Sequence, residues 1–469
     1  MIMQKNLFIK LSFLIGLALI FSLTGLRCTK GTDAEVAEAS KPVTIKWWRV
    51  YDDESAVTPI IEAYRVAHPN VTIEYRKLRF EDYENELLNA LAEDRGPDII
   101  SLHNTWIRQY QPKLTPLPPT ITLPFSELQG SFKKEVVNTL KTNATLSAKN
   151  LKENFVDVVA KDTLITTKDS QNQPQEQIFG LPLALDTLTL FANRDLLNIS
   201  GIPEVPQTWS EFQSAVKKLT RLDKDGNIIQ SGAAIGSSKN IERATDILAL
   251  LMMQNGAEMI NSAGDVAFNK IPASLKGISV PPGEQALTFY TDFADSQKET
   301  YTWSAQQQNS FDAFVAGKTA MFFGYAYHLP LIHARAPRMN LAIAPVPQIE
   351  GNPKVTFANY WVETVTRKSA NPQWAWDFIQ FATSAKNISP YLERTNKPTA
   401  LRALIQSQTE KEEVGIFAEQ ILTAQSWYRG NNSLSADFAL LDAIDAVHSN
   451  MEPQDALNIA AGRVKQTMR

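Results

Sequence analysis

Five short stretches place an aromatic ring beside a polar residue at positions where loops are expected: WWRVY (47–51), HNTW (103–106), FGYAY (323–327), NYW (359–361) and SWYRG (426–430). A planar ring offers an apolar face to the C–H face of a sugar, while neighbouring Asn, Asp, Arg or Gln side chains bond its hydroxyls. The chemistry these residue types suit is therefore non-covalent recognition. Each ring also has a plain alternative as core packing: Trp47 and Trp209 are expected inside, while Trp48, Trp106, Tyr325, Trp361 and Trp427 are balanced between core and ligand contact. His103 is balanced between a hydrogen-bonded structural residue and a ligand contact.

Signatures of other chemistry fall short. AGKTAM (316–321) looks like the end of a phosphate-binding loop, but Asp312 stands where that loop needs Gly. Asp223, Asp225 and Asn227 suggest calcium, yet Gly226 is at the fourth loop position rather than the sixth, so a plain turn is expected. There is no G-x-S-x-G, H-E-x-x-H or C-x-x-C, and the five histidines have no metal-ligand spacing. Two carboxylates meeting in space for glycoside hydrolysis stay open as an alternative. Asp52, Asp53 and Glu54 read as a solvated helix start.

The elements that must position these residues follow from periodicity. VTIKWW and VTIEYRKL alternate as strands, the stretches from Ser55 to Ala67 and from Glu81 to the stop at Gly96-Pro97 carry apolar residues at helical spacing, and DIISL is a short buried strand. This β-α-β-α-β order predicts a parallel sheet whose ligands bind beyond the carboxyl ends of the strands. That rim would hold Trp48, Arg49 and Tyr51 after the first strand and His103, Asn104 and Trp106 after the third. Residues 112–179 look less regular, with LTPLPPTITLP as a proline-rich surface stretch. A strand-rich run from Ile178 leads into PQTWSEF, where Thr208 and Glu211 fit a capping box, and LDKDGNIIQ signals a hairpin.

The chain has 469 residues, 44% of them hydrophobic and 20% charged, which is enough for two or three domains. Lys5, Lys10 and the apolar run Leu11–Leu26 read as an export signal too short to span a bilayer. Removing residues 1–27 takes the formal charge from -4 to -7, which gives no footprint for nucleic acid. The sole cysteine, Cys28, follows the apolar run and is expected to become a lipidated N-terminus, although Arg27 departs from the usual small residue before such a cysteine. Residues 29–42 would then be a flexible leash of roughly 20 Å reach.

Seven stretches in order, from WWRVYDDESAVTPIIEAYRVAHPNVTIEY through GPDIISLHNTWIRQY, FGLPLALDTLTLFANRDLL, PQTWSEF, FDAFVAGKTAMFFGY and LAIAPVPQ to WAWDFIQFATS with NKPTALRAL, resemble extracellular solute-binding proteins of family 1, the maltose-binding type that serves ABC importers. The resemblance implies an α/β fold of two lobes, each a sheet flanked by helices, with several crossovers between them. Lobe one would be 43–183 plus 346–398, and lobe two 184–345 plus 399–469. It further implies a monomer on the periplasmic or cell-surface face of a bacterial membrane, held by lipid at Cys28, delivering a sugar, oligosaccharide or polyol to ABC permease subunits, with no cofactor and no nucleic-acid partner. The expected ligand set is Trp48, Arg49, Tyr51, His103, Asn104, Trp106, Asp186, Tyr325, Tyr327, Asn359, Trp361, Arg394 and Trp427. Departures from the family pattern are Ala358-Asn359 for a common Gly-Gly pair and Ala192 for an aromatic. A secreted carbohydrate-active enzyme and a surface sensor or adhesion module are the alternatives.

Overall fold

The computed structural model describes residues 30–129, 135–169 and 171–468. Cys28 and the export signal lie outside the described residues, and among the described residues no helix is long and apolar enough to cross a membrane. The segment expected as a leash is helical over Lys30–Ala39. Its lack of large apolar side chains suggested a loose chain, but Ala and Glu are strong helix formers, and the helix leans on a hairpin further along.

The first sheet begins as the periodicity predicts. Val43–Val50 lies between Val71–Leu78 and Ile99–His103 and is parallel to both. The helices Glu54–Ala67 and Phe80–Ala92 bury Val57, Ile60 and Tyr64 and Tyr83, Leu87 and Leu91, which are the residues at helical spacing. A strand from much later in the chain, Trp361–Thr366, then pairs antiparallel with Ile99–His103 and carries Leu114–Thr115 and Leu181–Pro182 beyond it. Its register sets Trp361 opposite His103. Residues 112–179 are more regular than expected: Thr120–Gln129 pairs with Glu135–Ala144, and Leu164–Lys168 with Pro174–Ile178. The prolines had masked the alternation. Pro124 is tolerated because this hairpin has only two strands, so each has an open edge.

The second sheet runs in the order Arg221–Leu222, Ile228–Ala233, Thr319–Gly324, Thr189–Asn193, Leu341–Pro345. Its first pair is the hairpin expected from LDKDGNIIQ. The Asp223 carboxylate accepts from the backbone N–H of Asp225 and Asn227 at 2.8 and 2.9 Å, as in a plain turn. The helix Trp209–Leu219 has the capping box: Thr208 accepts from the Glu211 N–H at 3.2 Å and Glu211 accepts from the Thr208 N–H at 3.2 Å.

Apolar side chains sort into separate clusters on the two sheets, and the handovers mark where the chain crosses. Leu185 packs in the first core and Leu188 in the second; Phe357 packs in the second and Ala358 in the first. Val346 and Val355 also belong to the second core, so the return crossing falls after Phe357 rather than at Pro345–Pro347. The reason is local: Gln348 bonds Val346, Val355 and Gln207, which keeps 346–355 folded against the second sheet. Ala400 and Leu401 remain in the first core, which moves the next crossing beyond Lys397–Thr399. The crossings are tied by a small sheet of Asp186–Thr187, Thr356–Asn359 and Ala424–Gln425.

Trp209 is buried in the second core, edge-on to Phe212 and Phe289 at 5.3 and 5.5 Å, with its indole N–H on the Gln254 carbonyl oxygen at 2.6 Å. Trp209→Ala is expected to cost about 3–5 kcal/mol of stability, read by denaturant unfolding. A loss under about 1 kcal/mol would mean that the second core closes around the vacated space.

Candidate ligand-binding site

Strand alternation explains which expected residues reach a surface. Residues two apart share a face, so behind His103 lies Ser101 and behind Trp361 lies Glu363. Arg49, from the neighbouring strand, meets them there. Its guanidinium lies 3.2 Å from Glu363 and 3.1 Å from Asp52, and Glu363 accepts from the Trp47 indole at 2.6 Å and the Ser101 hydroxyl at 2.7 Å. Asp52 also accepts from Tyr391 at 2.9 Å and from Lys397, which sits where the chain crosses. Burial opposes charge on Asp52, but Arg49 and Lys397 hold its carboxyl below the usual value.

Five expected ligand residues are thus corrected to supporting ones. Arg49 is 5% exposed and spent on this network, and Asp52 belongs to it rather than to a solvated helix start. Trp48 packs on the opposite face, under the Arg76 guanidinium at 4.7 Å. Asn104 is buried and donates to Asp162 at 3.1 Å. Tyr325 is buried, with its hydroxyl on Asp246 at 2.6 Å. Trp427 packs edge-on against Phe268 at 6.2 Å in the second core. Arg394 is exposed in the last turn of the helix Ala385–Thr395 and joins none of these networks.

The remaining expected residues gather around the connecting sheet. On the first-sheet side, Tyr51 (56% exposed) lies 6.0 Å from both Phe80 and Trp361, and Trp106 lies 5.5 Å from Trp361 and 6.3 Å from Phe80. These four rings form one wall. At its base, the His103 ring bonds Thr105 at 2.8 Å and Asn359 at 2.9 Å, and Asn359 pairs in register with Asp186 in the small connecting sheet. Burial, then the charge of Arg243, push His103 down to about 4, so it is neutral at pH 7.

The second-sheet side contributes Tyr327, 43% exposed, and Arg243, which precedes the helix Ala244–Gln254. Asp246 grips one edge of the Arg243 guanidinium at 2.7 and 2.9 Å, leaving the other edge free for a ligand. The charge of Arg243 bears on both Tyr51 and His103. Six non-glycine residues among the described ones have positive φ; four are Asn or Asp, which tolerate it, and the other two are Tyr51 (φ 68) and Arg243 (φ 60). Each conformation costs roughly 1–2 kcal/mol, and strain of this kind clusters at functional sites.

Phe80, Arg243 and Asp437, beside Arg243, were not expected from the sequence. Phe80 had a signal, since it follows the second strand as Tyr51 follows the first. Arg243, in the turn before the helix Ala244–Gln254, and Asp437, inside the helix Ser433–His448, had none.

Asp186 accepts from the backbone N–H of Thr187 and Ala326 at 2.9 and 3.1 Å, yet burial pushes its carboxyl up to about 7. Its folded value is above the unfolded one, so its contribution to stability is complete below about pH 4 and is lost as pH rises through about 7. The melting temperature of the wild type relative to Asp186→Asn is therefore expected to rise as pH falls from 8 to 5. Taking the difference cancels His68 and His103, whose lowered values act in the opposite sense. A flat difference would mean that Asp186 is solvated like a surface group.

The model of the bacterial extracellular solute-binding protein family matches residues 50–388. A binding protein of Brucella abortus (strain 2308) is 23% identical over 223 residues, 47% of this chain and 50% of its own length. The maltodextrin-binding protein MdxE of Bacillus subtilis (strain 168) is 22% identical over 243 residues, 50% of this chain and 53% of its own. The chain thus spans about half the length of the curated relatives it matches. Among solved structures, the sugar-binding protein MalE of Xanthomonas citri superposes with a TM-score of 0.68 at 16% identity, covering 91% of this chain and 97% of that one. The likeness shows the two-lobed fold.

Proposed function

Because the chain belongs to the bacterial extracellular solute-binding protein family, we propose that it captures a carbohydrate between its two lobes and hands it to the permease subunits of an ABC importer. The observation that carries this reading is the wall of Tyr51, Phe80, Trp106 and Trp361 on the first-sheet side, with Tyr327 and Arg243 contributed by the second-sheet side beyond a connection of short strands. Rings on one side and directional donors and acceptors on the other match the two kinds of surface on a sugar, oligosaccharide or polyol. The names of the Bacillus maltodextrin-binding protein and the Xanthomonas sugar-binding protein support the same class. His103 is hydrogen-bonded through both ring nitrogens, and Asp246 is occupied by Arg243 and Tyr325, which suits a binding role.

The test uses the saccharide recovered with the purified protein by native mass spectrometry or selected from a glycan panel. By calorimetry, Tyr51→Ala and Tyr327→Ala are each expected to weaken its binding by roughly 1–3 kcal/mol. Trp427→Ala is expected to melt lower but bind normally. Wild-type affinity in both tyrosine variants would place the ligand elsewhere.

We assign the exported location and the anchor on the same footing. Cys28 would carry the lipid that keeps the protein at the periplasmic or cell-surface face as a monomer, as the run of apolar residues before it and its being the sole cysteine suggest. The wild type is expected in the detergent phase on phase partitioning and Cys28→Ser in the aqueous phase. Wild-type protein in the aqueous phase would refute lipidation.

A further inference from the structure

Tyr327 and Arg243 come from different parts of the chain, yet one closed ring of contacts joins them. It runs through His328, which is 1% exposed and walled by Phe311 and Phe322 at 5.2 and 5.0 Å, so it has no surface of its own to offer a solute. The His328 Nδ1 accepts from the Tyr325 N–H at 3.0 Å, which leaves the ring proton on Nε2, and Nε2 donates to Glu242 at 3.0 Å. Glu242 is the residue before Arg243. The Tyr327 ring lies 4.2 Å from the His328 ring and 5.8 Å from that of Tyr325, tilted by only 30° and 18°. The Tyr325 hydroxyl bonds Asp246, and Asp246 grips Arg243, which closes the ring. The turn that carries the two tyrosines sits directly on the imidazole: a Cβ on Gly324 would lie 2.9 Å from His328 Nδ1.

We infer, resting on the carbohydrate reading above, that His328 and Glu242 are positioning residues for the second-sheet half of the site: the hydrogen bond between them fixes the Tyr327 ring and the Arg243 turn relative to each other, so that a sugar meets both in one geometry. The left-handed backbone of Arg243 (φ 60) needs such a clamp, because strain of this kind persists only where the surroundings over-determine it. The His328 bond to Glu242 holds it from one side and Asp246 from the other. A site ordered before binding does not have to be ordered by the sugar, so breaking the bond weakens affinity without deleting a contact.

The probe is the tightest-binding member of a panel of neutral mono-, di- and trisaccharides, measured by calorimetry on the intact protein, with amide hydrogen exchange on the sugar-free protein as a second readout. Glu242→Ala is expected to weaken binding about tenfold, whereas Glu242→Gln, which keeps an acceptor for Nε2, stays within about twofold of the wild type. His328→Phe keeps a ring beside Tyr327 but loses both hydrogen bonds; it is expected to match Glu242→Ala, and the double variant to lose no more than either single one. In the sugar-free protein Glu242→Ala is expected to speed exchange at 324–328, a segment that does not contain it, with the denaturation midpoint unchanged. Loss in Glu242→Ala with wild-type binding in His328→Phe would mean that Glu242 touches the sugar itself, and additive losses would mean that the two act separately; either overturns the inference. A lower midpoint with wild-type affinity in Glu242→Ala makes the pair purely structural and overturns it as well. If no member of the panel binds, the carbohydrate reading falls, while unchanged exchange at 324–328 in Glu242→Ala overturns the positioning role on its own.

Discussion

The buried ion pair between Arg49 and Glu363 is the constraint on which the first lobe and its rim depend. Each partner is costly to bury alone, and each is tolerated because the other meets it and because Trp47, Ser101 and Asp52 take up part of the remaining hydrogen-bonding capacity, Arg49 Nη1 and Glu363 Oε1 keeping no hydrogen bond of their own. The pair joins a strand from the start of the chain to one more than 300 residues later, and it does so one pleat behind the surface. Once Arg49 and Ser101 are matched to Glu363, the alternation of the strands leaves His103 and Trp361 side by side at the edge. Through Asp52 and Lys397 the same network reaches the segment that leaves the lobe.

The other side of the hinge has its own knot. Gln420 is buried and bonds the Val346 N–H, the Leu188 carbonyl and the Thr189 hydroxyl, while its own carbonyl accepts from Thr356. Asp162 links across, holding Asn104 and Tyr360 of the first lobe and Ser426 and Arg429 on the way into the second. Between these fixed points the connecting sheet has strands of only two to four residues. Rigid lobes on a thin connection are what closure around a ligand requires.

The sequence revealed what is local. Two strand–helix units, a third strand, a capping box and a hairpin could be read because periodicity, an N-cap and a turn each act over a few residues. Pairings between distant segments could not. Arg49 was expected at the rim because the first strand was read as ending before it, whereas the strand runs to Val50, and only the arrival of Glu363, invisible in the local pattern, shows why it is inside. Trp427 was misjudged for the same reason, since its partner Phe268 lies in a different part of the chain. Phe80 was legible in principle from its place after a strand end, whereas Arg243 depends on a left-handed turn that no residue type announces.

Trp361–Thr366 runs between Ile99–His103 on one side and Leu114–Thr115 and Leu181–Pro182 on the other. A ribosome that has released only the first 200 residues has therefore made every other strand of that sheet but not the one that joins them. Until Glu363 emerges, Arg49 has only Asp52 as a counter-charge and its strand edge is incomplete, and a loop of some 260 residues must still close. The N-terminal half cannot reach its native state early, and a chain that stays open while it is being made is one that can still be threaded through a membrane channel.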